Sequence, residues 1–439
     1  MAGPLANMAA AFHIPDLRKR ILFVLAMFAV FVVALHVPIP HINRLNMDKL
    51  MSSGGGLLGL FDVFSGGAFR KFSVIAMSIT PYINASIIFQ LMGVAVPSIS
   101  RLAKEGPSGQ KKIAQYTRYL TVVLAMFQAS AMCYMLQHVP SGAIIEVQGW
   151  VGLIPIIITL TAGTCFLMWM ADQLTDKGIG NGVSLVIFCG ILVRLPSDVG
   201  VTMQGINTGA WNIANVLFLL CIWVGTIALI VFVQQGTRKI PIQHARKVIG
   251  NRIYGGSTGN LPMRVNTAGV IPIIFAITIS MFPSQIFQMV GPLIDKRWPD
   301  LAQWFQHWAT VLSPGNSWFA TAGYFLLVVF FTYFYTAISF NVADVSDNLK
   351  KSGGYIPGIR PGKPTEIFLD RVLTRITLAG ALFLGFIAVL QYHVSDITHV
   401  SSFSVVGGTS LLILVGVALE TMQQIEAQLL MRQYEGFIK

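Results

Sequence analysis

Long apolar runs separated by short polar connectors make up nearly the whole chain. Runs approaching the ~17–25 residues needed to cross hydrocarbon fall at 21–37, 72–92, 119–136, 151–170, 183–195, 213–234, 268–282, 318–340, 376–391 and 408–425. The shortest of them, 183–195, is expected to extend into the Gly-rich turn before it. Between the first two runs lies a stubby apolar piece, Leu57-Leu-Gly-Leu-Phe-Asp-Val-Phe64, too short to cross a bilayer. Ser65-Gly66-Gly67 joins it to the span beginning at Phe72. A half-length segment hinged onto a full span is how membrane proteins hold backbone at membrane depth along a cavity. The span itself carries Ser78, Thr80, Asn84, Ser86 and Gln90, so one flank need not face lipid. This unit is expected to be the stopper and one wall of a pore.

Composition agrees with the pattern. The chain is 54% hydrophobic and 11% charged, against roughly 25% charged in soluble domains, which predicts an all-α polytopic membrane protein with ten transmembrane helices. Its formal charge of +12 must therefore be weighed first against the positive-inside rule. Arg18-Lys19-Arg20 precedes the first run and Pro38-Ile-Pro40 follows it, with no small-residue cleavage pattern, so a retained first span is expected. With the N-terminus inside, only Arg44, Lys49, Arg70, Lys71, Arg194, Lys296 and Arg297 of the 30 basic residues fall outside. Both termini are then cytoplasmic. Trp150, Trp211, Trp298, Trp304, Trp308 and Trp318 lie in or beside the outer segments, as an aromatic belt requires. Residues 295–312 are expected to lie on the outer surface as a helix. Ten spans split into two five-helix halves, 1–212 and 213–439. Because five is odd, the second half enters from the opposite face, the inverted-repeat plan with its working site at the seam.

Candidate chemistry is sparse. Cys133, Cys165, Cys189 and Cys221 sit far apart in apolar runs without CxxC or CxxH spacing, so neither a disulfide framework nor a metal site is expected. The span middles hold almost no charge, which counts against ion-coupled transport; Glu420 and Arg194 lie near span ends, within reach of the interface. No HExxH or GxSG motif appears, and the turn Gly178-Ile-Gly-Asn-Gly182 opens a membrane helix with no strand before it, so it is read as a tight turn. Neither enzyme activity nor a cofactor is expected. A secondary transporter or lipid scramblase and an intramembrane hydrolase are the competing classes. The first needs a midplane charge or polar pocket, and the second needs a nucleophile–base pair.

Isoleucine beside proline recurs, in Ile79-Thr-Pro81-Tyr-Ile83 and Val270-Ile-Pro272-Ile-Ile274. Proline is expected to bend these helices. A ring of such aliphatic tips opposes ions by dewetting, although composition alone favours lipid-facing or packing isoleucine. Two long basic loops, 235–266 and 341–375, exceed what orientation needs. The first carries Gly255-Gly-Ser-Thr-Gly-Asn260 as a flexible turn, and the second presents Arg360 on a stiff Pro357-Gly-Ile-Arg-Pro-Gly362 turn. Either loop suits an acidic protein or RNA phosphate.

Together these residues resemble the bacterial SecY family, the central channel subunits of the Sec protein translocase. The shared blocks are Phe64-Ser-Gly-Gly-Ala68, Thr80-Pro-Tyr-Ile-Asn-Ala-Ser-Ile87, Gln115-Tyr-Thr-Arg-Tyr119, Gly178-Ile-Gly-Asn-Gly182, Val265-Asn-Thr-Ala-Gly-Val-Ile-Pro272, Asp347-Asn-Leu-Lys-Lys-Ser-Gly353, Pro357-Gly-Ile-Arg-Pro-Gly362 and Gly407-Gly-Thr-Ser-Leu-Leu412. The resemblance implies two pseudo-symmetric halves around an hourglass pore in the bacterial plasma (inner) membrane. SecE would clamp the halves, with SecG alongside. It implies a waist of Ile79, Ile83, Val183, Ile187, Ile274 and Ile413. The plug would comprise Leu57, Leu58, Leu60, Phe61, Val63, Phe64, Ser65, Gly66 and Gly67. Asn84, Ile87, Thr278 and Phe282 would stand at a lateral gate between the second and seventh helices. Arg246, Lys247, Arg252, Lys350, Lys351 and Arg360 would dock the SecA ATPase or the ribosome and its rRNA. Signal peptides and nascent chains would be the clients, with hydrophobic segments released sideways into membrane lipid. Two positions depart from the family pattern: Val183 stands where isoleucine is common, and Asn251-Arg252 where relatives often pair arginines.

Overall fold

The computed structural model describes residues 12–43, 46–47, 62, 65–137, 144–145, 149–244, 247–249, 252–254, 258–294, 298–398 and 408–436. The N-terminal helices are α1 (Pro15–His36), α2 (Thr80–Ala95), α3 (Pro97–Lys104), α4 (Pro107–Gln137), α5 (Trp150–Lys177) and α6 (Gly182–Asn207). Next come α7 (Ile213–Gln235), then the strands β1 (Thr237–His244), β2 (Lys247–Ile249), β3 (Arg252–Tyr254) and β4 (Thr258–Arg264). The remainder is α8 (Ile271–Ile294), α9 (Pro299–Val311), α10 (Trp318–Ser339), α11 (Val342–Lys351), β5 (Gly354–Tyr355), α12 (Lys363–Thr398) and α13 (Thr409–Gly436).

Among the described residues eight helices are long and apolar enough to cross a membrane, or nine if the bent pair α2–α3 is one broken span. The chain is thus a multi-pass helical membrane protein. Nine of the ten apolar runs fall largely in helices and the second does so only from Thr80; the apolar stretch of α8, Ile271–Ser284, is shorter than a span. The 99° bend between α2 and α3 coincides with Pro97, which has no N–H to continue the ladder and disfavours helical backbone at Val96.

Proline acts differently from expectation at two other places. Pro81 and Pro272 stand in the first turns of α2 and α8 rather than inside them, where the missing N–H has no intrahelical partner to lose. These helices are opened by proline, not kinked. The second run also departs from a single helix. Residues 74–79 are turns, with positive φ at Phe72 (46°) and Ser78 (55°). Their main chain is held instead by the segment after α1: Ile39 N donates to Phe72 O at 3.1 Å and Val74 N to Val37 O at 3.0 Å.

Side-chain caps begin the neighbouring elements. Asn181 accepts from Val183 N and Ser184 N to start α6, and Asn341 caps α11 in the same way. Gly182 packs so closely on the Ala171 carbonyl that a Cβ would collide with it, while its N–H donates to Thr175 Oγ1 at 2.9 Å. The Gly178–Gly182 segment is therefore a tight α5–α6 turn.

The first basic loop is a sheet where a flexible turn was expected over part of it. β1 pairs antiparallel with β4, from Thr237↔Arg264 to Gln243↔Thr258, and its far end pairs with β5 at Gln243↔Tyr355 and His244↔Gly354. Pro241 is tolerated because β1 has a neighbour on only one side at that level. Ile240, Met263 and Ile356 bury against Leu369, Val372 and Leu373 of α12.

Helix packing is extensive within two groups. One joins α2 to α4, α4 to α5, α5 to α6, and α1 to α5 and α6; the other joins α8 to α10, α10 to α12, and α7 to α12 and α13. Contacts between the groups run through α6–α13 on one side and through α8 with α2 and α4 on the other. The main core fills the space between them and draws on both groups.

Candidate functional site

The residues expected at the waist come from four parts of the fold. Ile79 immediately precedes α2, with Ile83 one turn on; Val183 and Ile187 are one turn apart on α6; Ile274 lies in the first turns of α8 and Ile413 in those of α13. Ile79, Ile187, Ile274 and Ile413 are buried in a single apolar cluster, and Ile83 and Val183 pack against it half-buried. Of the composition-based alternative, the lipid-facing half does not describe these positions, whereas burial in the core is also what packing isoleucines would show.

Two cavities have polar linings. One, of about 230 Å³, is lined by Asn181, Ser184, Gln234, Arg264, Asn266 and Glu420, among others. The second, about 510 Å³, is lined by His36, Asp62, Arg70, Lys71, Arg194 and Asp198 with apolar neighbours. On α6, Ser184 and Arg194 are separated by about 15 Å at 1.5 Å per residue, and Ile187 stands between them. Along α6, apolar Ile187 thus lies between a residue lining the first cavity and one lining the second.

The second cavity holds an ion cluster that the sequence did not announce. Arg194 Nη1 lies 3.0 Å from Asp62 Oδ2 and Nε 3.4 Å from Asp198. The Arg194 side chain is only 15% exposed, held within this cluster. Asp62 Oδ1 accepts from Arg70 N at 2.8 Å. Burial pushes the Asp62 carboxyl above the ordinary carboxylate range, against the opposing pull of Arg194 and the Arg70 N–H. The i,i+4 spacing of Arg194 and Asp198 on one helix face was a readable signal; their third partner, 132 residues away in sequence, was not.

Of the plug residues, Ser65, Gly66 and Gly67 are described, and Leu57, Leu58, Leu60, Phe61, Val63 and Phe64 lie outside the described residues. Ser65 Oγ donates to Asp62 O at 3.2 Å and accepts from Phe69 N at 3.2 Å. Gly66 has φ +70°, and a Cβ there would sit 2.7 Å from Gly190 O of α6. Only glycine fits this left-handed turn at that approach.

The gate positions separate. Ile87 is buried in the main core, and Asn84 Oδ1 is buried without a hydrogen-bond partner among the described residues. Thr278 Oγ1 donates to Ile274 O at 2.7 Å, and Phe282 is exposed. Asn84 and Ile87 belong to α2, Thr278 and Phe282 to α8, and these two helices touch. Of the docking residues, Lys350, Lys351 and Arg360 are exposed. The two lysines end α11, where cations suit the helix dipole. Lys247 and Arg252 sit in the paired strands β2 and β3, and Arg246 lies outside the described residues.

The helices thus form a multi-pass bundle with an apolar core and two polar-lined cavities. Comparison with known proteins gives the family. The SecY family model matches residues 73–422. The protein translocase subunit SecY of Streptomyces galbus is 43% identical over 448 residues, covering 99% of this chain and 100% of that one. The Thermotoga maritima subunit is 41% identical, covering 98% and 96%. A solved protein-conducting channel superposes with TM-score 0.62 at 15% identity, covering 93% of this chain and 92% of that one. Sec61 from the canine ribosome–channel complex of the endoplasmic reticulum gives 0.58 at 13%, with the same coverage. The chain belongs to the SecY family. It is accordingly a channel subunit and not an enzyme.

Proposed function

We propose that unfolded secretory polypeptides cross the bacterial plasma membrane through this chain, passing the girdle of Ile79, Ile83, Val183, Ile187, Ile274 and Ile413. The observation that supports this is that those side chains, from the starts of α2, α6, α8 and α13, belong to or pack against one apolar cluster, with a polar-lined cavity toward each end of α6. Aliphatic tips offer an extended chain no polar group to bind, and they exclude ions when they close.

In this reading α8 is a further span, since its 24 residues rise about 36 Å. With the eight long helices and the α2–α3 pair, that makes ten. The halves 1–212 and 213–439 would be inverted repeats, consistent with the two helix groups. Both termini and the β1–β4 sheet face the cytoplasm, following the basic-residue bias. The 57–67 segment is the plug, and the α2–α8 contact is the lateral gate where apolar segments partition into lipid. The structurally similar Sec61 was solved on a ribosome, and the exposed Lys350, Lys351 and Arg360 suit a ribosome or SecA here. SecE and SecG complete the assembly, and the driving energy comes from the docked partner.

Cysteine placed at Ile79 or Ile274 is expected to cross-link to a secretory chain stalled in transit. Silence at both positions, with the gate residues also silent, would falsify the pore assignment.

A further inference from the structure

We propose that Arg194 of α6 is a releasable counter-ion latch that seats the root of the plug, holding Asp62 while Asp198 holds Arg194. The inference rests on the plug reading above and adds how the closed position is kept.

The geometry is specific to the root. Asp62 is 5% exposed and lies just before the Ser65-Gly66-Gly67 turn. It grips that turn through three bonds: its carbonyl accepts from Gly67 N at 2.8 Å and from Ser65 Oγ, and its carboxylate accepts from Arg70 N. Whatever fixes Asp62 therefore fixes the turn. Arg194 supplies that fixation at 3.0 Å, and Gly66 lying on the Gly190 backbone seats the same turn one helical turn earlier on α6.

The charges are unequal, which makes the latch releasable. Two carboxylates share one guanidinium. When the root lifts away, Asp62 regains water and Arg194 keeps Asp198, so neither α6 charge is stranded. A buried ion pair gains attraction at the cost of desolvation, and the two nearly offset. Removing the shared cation is a different matter, because it leaves Asp198 beside a second buried carboxylate with its only cationic partner among the described residues gone, while Arg70 and Lys71 act on Asp62 alone.

This asymmetry separates a latch from a packing role. Arg194→Gln is expected to raise the resting chloride leak of the complete translocase, reconstituted in vesicles without a client, by at least about tenfold. Asp62→Asn alone is expected to raise it less than Arg194→Gln does, since it loses the ion pair at the root but leaves Arg194 paired with Asp198. The double variant Asp62→Asn/Arg194→Gln is expected to leak less than Arg194→Gln, and Arg194→Lys to stay near the parent. Should Arg194→Gln reduce yield, hydrogen exchange of the segment 65–72 in the same preparation reads the root directly. It is expected to lose protection at the Gly67 and Arg70 amides while α4 keeps its own.

A leak in Arg194→Gln equal to the parent, alongside a variant lacking residues 57–67 that does leak, overturns the latch and leaves the plug standing. A 57–67 deletion with no leak overturns the plug and the latch together. A double variant leaking as much as Arg194→Gln assigns the effect to lost side-chain volume and also overturns the latch.

Discussion

Replacing Gly66 and Gly67 with alanine, one at a time, measures how closely the plug root is seated. Both glycines lie in the left-handed region, at φ +70° and +84°. An L-residue there costs about 1–2 kcal/mol. Gly67→Ala meets nothing else, because no atom lies within 4 Å of the new methyl. Gly66→Ala meets Gly190 O at 2.7 Å, its Cα at 3.0 Å and its carbonyl carbon at 3.2 Å. All three are main-chain atoms of α6, which cannot rotate aside. The seated state of Gly67→Ala should therefore weaken by roughly 5–30-fold relative to the released one. Gly66→Ala should lose that and a further steric contribution of at least about 1 kcal/mol. The assay is resting chloride leak from vesicles at matched protein density, with hydrogen exchange of residues 65–72 as a second readout. The decisive quantity is the difference between the two variants. If Gly66→Ala leaks no more than Gly67→Ala, the turn does not rest on α6 in the working channel, and the reasoning fails.

Acidification should tighten the same seat. Burial holds Asp62 above the ordinary carboxylate range when seated, so the proton binds more tightly there than to a released, hydrated carboxyl. The resulting advantage of the seated state is complete at low pH and is lost as pH rises through the raised pKa. Resting leak is expected to fall as outer pH drops from about 7 to about 5, with Arg194, Arg70, Lys71 and Asp198 as the charges facing the carboxyl and His36 beside Lys71. Asp62→Asn should flatten that response, and an unchanged slope would assign it to another group. Ile413→Ala, at a fully buried girdle position, should cost about 2–5 kcal/mol, and an unaltered thermal midpoint refutes its place in the core. Tyr324→Phe removes a buried hydroxyl that has no hydrogen-bond partner among the described residues. It should leave thermal stability unchanged or raise it by up to about 1 kcal/mol, whereas a clear loss would reveal a partner for the oxygen.

What could be read from the residues follows from which forces are local. The apolar runs were legible because spanning needs consecutive hydrophobic residues, and all but the start of the second sit largely in helices. The turn stretch 74–79 was not legible, because its apolar composition is also that of a span. What breaks it is Pro81 together with hydrogen bonds from Val37 and Ile39, which belong to another segment. The β1–β4 pairing was hidden by Pro241 and Pro262, which locally argue against strands and are accommodated only where the ladder lacks a second neighbour. The girdle positions emerged from family resemblance, since an isoleucine facing a pore and one facing lipid look alike in sequence. The Asp62–Arg194–Asp198 cluster needed the fold, because its members become neighbours only when the root of one segment meets the side of another.

The small sheet has a mechanical consequence. β1 continues directly from α7, β4 leads into α8, and β5 precedes α12, so one strand bonded to the other two welds both basic loops into a single handle over three membrane helices. A motor gripping the Arg360 turn would apply torque to that whole rear block at once. Force applied there would be shared among α7, α8 and α12 through the strands that adjoin them.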